Sequence, residues 1–239
     1  MLKNGKSKKL PLYIQIGELL HREIAAGHWQ PGERLPIESQ LASSLNVAVG
    51  TLRKALAKLE ADGLLERRQG SGTYVKRAPT GTAIYQFFHL ELLGGGGVPR
   101  ADTLAVSMRQ EPEVAQQLEM NYLEAKLWSI RRKRYLNTQL VAAEEIWIDY
   151  RHSDSLVAED LHESLYMHYR EVFGFWIGRV EDRIDCVEAP DWVAELLGVE
   201  VGSTLVRVER KGWSNNNQVE EFSRTWFDPL KCRYFARWS

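Results

Sequence analysis

Arg132 and Arg134 stand two residues apart in a strand-like run, Lys126 to Tyr135, so both side chains point to one face. A second such run, Leu140 to Asp149, carries Glu144, and Ser164 lies near a helical stretch. Two arginines with a carboxylate and a hydroxyl suit an acidic or phosphorylated metabolite, because the guanidinium fork binds oxyanions through paired hydrogen bonds. The same residues also suit a structural ion-pair cluster, Arg132 or Arg134 with Glu144. Far upstream, other residues have the chemistry to grip a different anion. Thr51, Lys54 and Lys58 fall on the outer face of a helical pattern with Arg53 beside them. Arg67, Arg68, Lys76 and Arg77 lie on or next to a hairpin pattern. Two basic patches around a glycine-rich turn favour phosphate contact over a plain solvated face.

The charge distribution follows the same division. The 239 residues carry 31 Lys and Arg against 32 Asp and Glu, a net of −1. Residues 1–79 hold 13 basic and 7 acidic residues, a net of +6; residues 80–239 hold 18 and 25, a net of −7. Such a split points to a segment that faces nucleic acid or a membrane. No apolar run approaches the roughly 20 residues of a bilayer span. Met1 to Lys9 is basic but lacks the apolar stretch of a secretory signal, and Cys186 and Cys232 form no Cys-x-x-Cys, so a cytoplasmic protein with reduced thiols is expected. The six histidines include His162 and His168, six apart, which is not the spacing of a helical metal pair. No Ser/His/Asp set or phosphate loop is visible, so neither metal, cofactor nor enzyme is expected.

The elements that must position these groups are legible as patterns. Leu12, Ile16, Leu19 or Leu20, and Ile24 recur at helical spacing, predicting a helix over 11–27 with Gly27 as its stop. Pro31-Gly32 is a turn, and Pro36-Ile37-Glu38-Ser39 opens a short helix through about Leu45. Leu52, Ala55, Leu56 and Leu59 give the inward face of a third helix ending at Ala61-Asp62-Gly63. Strands at Leu64 to Arg68 and Thr73 to Lys76 enclose Gln69-Gly70-Ser71-Gly72. Three helices and a hairpin outline a winged helix-turn-helix over 1–76, followed by a linker over 77–83. Residues 84–239 read as an antiparallel α+β domain. Its expected strands are Ile84 to Leu93, Thr103 to Arg109, two long hairpins (126–149 and 203–227) and Phe175 to Val187. Its helices are Glu111 to Glu119, one within Ala158 to Phe173, and Ala189 to Leu197 before Gly198. Gly94 to Gly97 is expected to be a hairpin loop. The two long hairpins each resemble half of a pseudo-symmetric sheet.

Pro11-Leu12-Tyr13-Ile14-Gln15-Ile16 and Gly27-x-x-x-Pro31-Gly32-Glu33-Arg34-Leu35-Pro36-x-Glu38 resemble the start of a GntR-family transcription regulator. The likeness continues through Leu41-Ala42, Val47, Thr51-Leu52-Arg53-x-Ala55-Leu56, Leu59-Glu60-x-x-Gly63-Leu64-Leu65 and Gln69-Gly70-Ser71-Gly72-Thr73-Tyr74-Val75. Residues 84–238 are similar to the effector-binding UTRA domain of the HutC subfamily, through Pro112-Glu113-Val114-Ala115, Arg132-x-Arg134-Tyr135, Val141-Ala142-Ala143-Glu144, Ser164-Leu165-Tyr166, Ala194 to Val199, Gly202-Ser203-x-Leu205 and Val219 to Ser223.

The resemblance implies a chorismate-lyase-like α+β fold for the second domain, and a homodimeric repressor that leaves its operator when a small metabolite binds. It implies DNA contacts from the start of the recognition helix, Ala48, Val49, Gly50, Thr51, Arg53 and Lys54, together with Arg34 and the wing residues Gln69, Gly70, Ser71 and Gly72. It places Arg132, Arg134, Glu144 and Ser164 at the effector site, with Glu221 and Tyr234 as further candidates. The chain also departs from the pattern. Ala48-Val49 replaces the usual Ser-Arg or Thr-Arg, and Ser39 replaces the usual arginine after Leu-Pro-x-Glu. The expected operator therefore differs at the guanines those arginines would read, with more weight on thymine methyl contacts and DNA shape. Two other readings stay open: a regulator whose second domain only dimerises, and an enzyme in the lyase-like domain.

Overall fold

In a computed structural model the chain is described over residues 9–25, 28–76, 87–121 and 125–236. The expected linker over 77–83 and the stop at Gly27 lie outside these residues. The rest forms two compact units, one from Leu10 onward that holds the helices and hairpin, the other comprising residues 90–95 and 100–234.

The helical unit follows its apolar spacing. Helices α1 (Leu12–Ala25), α2 (Glu38–Ser44) and α3 (Val49–Ala61) precede the paired strands β1 (Leu65–Arg68) and β2 (Gly72–Val75). Ile16, Leu20, Leu41, Leu52, Ala55, Leu56 and Leu59 form one core with Leu64, Leu65 and Val75. The i, i+3, i+4, i+7 stripe on α3 is thus the face that packs, which leaves Arg53 and Lys54 outward. Gly63, at φ +79°, adopts the left-handed conformation past the helix end that its position predicted. Strands β1 and β2 are antiparallel, from Leu65 opposite Val75 to Arg68 opposite Gly72.

The second unit is built on a six-stranded sheet in the order β4-β5-β6-β9-β8-β7. Its elements are β4 (Pro99–Arg109), α4 (Pro112–Gln117), β5 (Leu127–Leu136), β6 (Gln139–Asp149), α5 (Leu165–His168), β7 (Ile177–Glu188), α6 (Asp191–Leu197), β8 (Thr204–Ser214) and β9 (Val219–Phe227). A π-helical turn, Tyr169–Phe173, continues α5. The order is two copies of strand, helix, hairpin, joined through β6 and β9. The copies share local sequence: Val114-Ala115 and Leu118 correspond to Val193-Ala194 and Leu197. Each helix ends at a left-handed residue, Glu119 at φ 57° and Gly198 at φ 68°. Glu119 takes there a conformation that costs a non-glycine residue energy.

The two sheet faces differ in kind. On one, α4 packs Val114 and Leu118 against Leu127, Trp147 and Phe222, and α6 packs Val193, Ala194 and Leu197 against Ala143, Leu205 and Trp226. The other face carries the polar groups described below. Among the described residues no helix is long and apolar enough to cross a membrane.

One expectation fails here. Within the apolar run Ile84 to Leu93 the described strand is only β3 (Leu90–Leu92), and it pairs not with the large sheet but with β10 (Cys232–Tyr234). Gly94 to Gly97 is therefore a loop but not a hairpin loop. Gly95, Gly96 and Gly97 all have positive φ, and they carry the chain to β4, whose sheet neighbour is β5. An apolar run specifies a buried strand but not its partner, and the partner here lies 140 residues away.

Candidate effector and DNA-reading sites

The strand registers decide which side chains meet. Arg132 on β5 stands opposite Glu144 on β6, and Ile148 on β6 is opposite Glu221 on β9. Arg210 on β8 is opposite both Ser223 on β9 and Asp182 on β7. Directly paired residues share a face, so Arg132, Arg134, Glu144, Glu221, Ser223, Arg210 and Asp182 all project from the face opposite α4 and α6. This brings together four of the six candidate ligand residues; Ser164 follows Glu163, whose carbonyl Arg132 reaches, and Tyr234 joins from β10 through Asp182.

Arg132 is 5% exposed. Its Nε and Nη2 donate to Glu144 Oε2 at 3.0 and 2.6 Å, and its Nη1 donates to the Glu163 carbonyl at 3.2 Å. Arg134 Nη1 is 3.8 Å from the same Glu144 oxygen. Burial opposes the charge on Glu144, but Arg132 and Arg134 outweigh it and hold the carboxyl below its usual range. Glu221 responds the other way. Burial pushes its carboxyl up, although Tyr169 donates to Oε2 at 2.6 Å and Tyr166 to Oε1 at 3.2 Å. Both phenols are held well above the usual tyrosine range by burial and by the nearby Glu221. Ser164 is buried, and its hydroxyl accepts from Met167 N at 3.4 Å, capping α5.

Sequence reasoning missed part of this cluster. Arg210 Nε and Nη2 both donate to Asp182 at 2.6 Å, a bidentate pair, and Tyr234 OH donates to the same carboxylate at 2.5 Å. Tyr166, Tyr169, Asp182 and Arg210 were not among the expected residues. A signal for Arg210 was present: Leu127-x-x-Ile130-x-Arg132-Lys133 and Leu205-x-x-Val208-x-Arg210-Lys211 match position by position, so Arg210 is the internal counterpart of Arg132. Three arginines here face three carboxylates, Glu144, Asp182 and Glu221, and burial holds the Glu221 carboxyl above its usual range. The guanidinium forks suit an anion, and the phenols and carboxylates suit hydroxyl groups.

The second site is a cleft of about 530 Å³ in the helical unit, lined by Arg34, Pro36, Ile37, Glu38, Ser39, Val49, Arg53 and the wing from Arg67 to Thr73. Arg53 leaves the exposed side of α3, and its Nε donates to Glu38 Oε2 at 2.6 Å. Arg67 Nη2 lies 3.8 Å from the other Glu38 oxygen. One carboxylate at the start of α2 thus orients arginines from α3 and the wing. Arg68 stacks on the Tyr74 ring at 4.1 Å, and Tyr74 OH and Ser71 Oγ share a hydrogen bond of 2.7 Å, which fixes the wing tip. Gly72, at φ +131°, takes a backbone conformation that side chains rarely adopt, and Arg34 Nε lies over it, 2.7 Å from where a Cβ would stand. Ala48, Gly50 and Lys54 are exposed around the start of α3, with Thr51 half-buried. Gln69 and Gly70 complete the wing tip. The cleft therefore gathers Arg34, Val49, Arg53 and Gln69 to Gly72 of the expected DNA contacts; Ala48, Gly50, Thr51 and Lys54 lie beside it on α3.

Residues 12–75 match the family described as bacterial regulatory proteins, gntR family, and residues 95–233 match the UTRA domain. The chain is 42% identical over 228 residues to the HTH-type transcriptional regulator SmoD of Agrobacterium fabrum strain C58, covering 95% of this chain and 96% of that protein. It is 29% identical over 220 residues to the mannosyl-D-glycerate transport/metabolism system repressor MngR of Escherichia coli K12, covering 91% and 92%. Among solved structures, YydK of Bacillus subtilis, a possible transcriptional regulator, shares the fold at a TM-score of 0.57 and 21% identity, over 96% of this chain and all of that one. The ligand-binding domain of a GntR-family regulator from Bordetella bronchiseptica matches at a TM-score of 0.59 and 25% identity, over 65% of this chain and 99% of that one.

Proposed function

Because this chain belongs to the GntR family of bacterial regulatory proteins and carries a UTRA domain, we propose that it is a repressor that leaves its operator when a small acidic or phosphorylated metabolite binds. The observation that carries the effector's chemistry is that the buried Arg132 and Arg134 share one sheet face with Arg210 and with the carboxylates Glu144, Asp182 and Glu221. The name of the relative MngR points the same way, since glycerate is a carboxylate. Arg132 and Arg134 take the anionic group; Glu144, Glu221, Tyr166 and Tyr169 take hydroxyls. Ser164 and Tyr234 border the site.

On the DNA side, Arg53, set by Glu38, enters the major groove and reads a guanine, while Gln69 to Gly72 approach the adjacent minor groove. Arg34, Ala48, Val49, Gly50, Thr51 and Lys54 complete the contact surface. The reading divides the chain into a DNA-binding domain over 1–76, a linker over 77–83 and an effector and dimerisation domain over 84–239. It makes the protein a cytoplasmic homodimer with no catalytic activity. Two linked experiments test it: selection of duplexes from a random pool, then thermal-shift screening of sugar acids and sugar phosphates. A metabolite that raises the melting temperature by mass action must also weaken binding to the selected duplex. A stabilising ligand without that effect would leave the second domain as a dimerisation module only.

A further inference from the structure

Both helices that frame the DNA-reading cleft begin without a side-chain cap. Ile37 occupies the N-cap of α2 and Ala48 the N-cap of α3, and neither side chain can accept a hydrogen bond from the first turn. Ser, Thr, Asp or Asn at either position would stabilise its helix. Ile37 breaks a second local preference as well. It is a large apolar side chain left 50% exposed, and it stands outside the core cluster that includes Val49 at its margin. Both Ile37 and Val49 line the cleft beside Arg53 and the wing glycines. Places where a chain sets aside local stability without a packing gain are where function is expected.

The other basic groups around the cleft, Arg34, Arg67 and Arg68, answer the phosphates, while Arg53 reads a guanine. Aliphatic side chains cannot do so, because they offer no hydrogen bond. What the major groove offers an aliphatic group is the C5-methyl of thymine. We propose that Ile37 and Val49 form a methyl-reading surface beside Arg53, so that the operator carries thymines flanking the guanine that Arg53 reads. This rests on the DNA-reading function proposed above and adds the base that replaces the guanines no longer read.

The test uses the full-length protein and a duplex it selects from a random pool. Each thymine is replaced in turn by uracil, which removes one methyl group and nothing else, and affinity is read by fluorescence anisotropy at fixed salt. One or two thymines flanking the conserved guanine should each weaken binding about fourfold on becoming uracil, the factor that one buried carbon is worth. Uracil elsewhere should be neutral. Ile37→Ser should remove the thymine preference at one of these positions and, by supplying a cap, raise the melting temperature; Ile37→Val should keep the preference. Val49→Ser, which has no methyl to offer, should remove it at the other. Uracil neutral at every position, or an unchanged thymine-to-uracil ratio in Ile37→Ser, overturns the proposal while leaving the DNA-reading function intact. Failure to select any consensus duplex overturns both.

Discussion

Arg132→Met is the perturbation that best separates a ligand site from a structural ion pair. The substitution keeps bulk but removes a buried charge that makes two bonds to Glu144 and one to the Glu163 carbonyl. Glu144 is then left with Arg134 at 3.8 Å as its nearest described cation. Breaking one side of a buried pair costs about 3–5 kcal/mol, and for a domain of this size each kcal/mol lowers the melting temperature by roughly 2–4 °C. A fall of roughly 10 °C at pH 7, measured by scanning calorimetry, is therefore expected. Adding Glu144→Gln should return at least half of the loss, because the double variant restores the charge balance of the cluster. It should not return any response to the effector, because both ligand groups are gone. The pH dependence gives a second check. Arg132 and Arg134 lower the Glu144 pKa in the folded state, so its stabilising contribution is present above the unfolded carboxyl pKa and is lost as pH falls through the folded one. In Arg132→Met that acid limb should move to higher pH. A melting temperature within about 2 °C of the parent at pH 7 would refute the reasoning on energetics; a double variant that still responds to the effector would refute the reasoning on function.

Other outcomes follow from the same geometry. Arg53→Ala should alter stability by less than about 1 kcal/mol, since its pair with Glu38 is exposed, yet abolish specific binding, each bidentate guanine contact being worth about 1–3 kcal/mol. Gel-shift titration at fixed salt checks this, and retained operator affinity would count against it. Burial raises the Glu221 carboxyl, so its contribution is favourable below the unfolded pKa and is lost as pH rises through the folded one. Glu221→Gln should therefore gain in melting temperature over the parent as pH goes from 4.5 to 8; a gain that shrinks across that range contradicts the assignment. Cys232 is buried and its thiol is pushed up to about 12, whereas Cys186 is exposed. Iodoacetamide at pH 8 should label one thiol per native chain and both after denaturation, read by mass spectrometry; rapid native labelling at Cys232 would contradict its burial.

The helical unit was legible because its information is local. Leu52, Ala55, Leu56 and Leu59 state a helix face by spacing alone, and Gly63 states its end. The large sheet was legible as two hairpins for the same reason: each strand meets its partner across a short turn. The pairing of β3 with β10 was not, because nothing within Leu90–Leu92 encodes the position of Cys232–Tyr234. The effector cluster divides along the same line. Arg132 and Arg134 stood out because they lie two apart on one strand-like run, Lys126 to Tyr135, and match the family pattern. Arg210 was hidden because Arg207, Glu209, Arg210 and Lys211 read as a solvated stretch, and only the register of β7 against β8 sets Arg210 opposite Asp182. Ile37 was passed over since an N-cap is a matter of backbone angle, and the sequence pattern placed the helix start at Pro36.

The central claim is that one metabolite is bound at the arginine cluster and is felt at the DNA-reading cleft. It is tested most directly by an anisotropy titration of the selected duplex, with and without the metabolite that most stabilises the protein, on the parent chain and on the Arg132→Met/Glu144→Gln variant. The account predicts weaker DNA binding by the parent when the metabolite is present and no change for the variant. Equal DNA affinity for the parent with and without the metabolite, or release that persists in the variant, would contradict it.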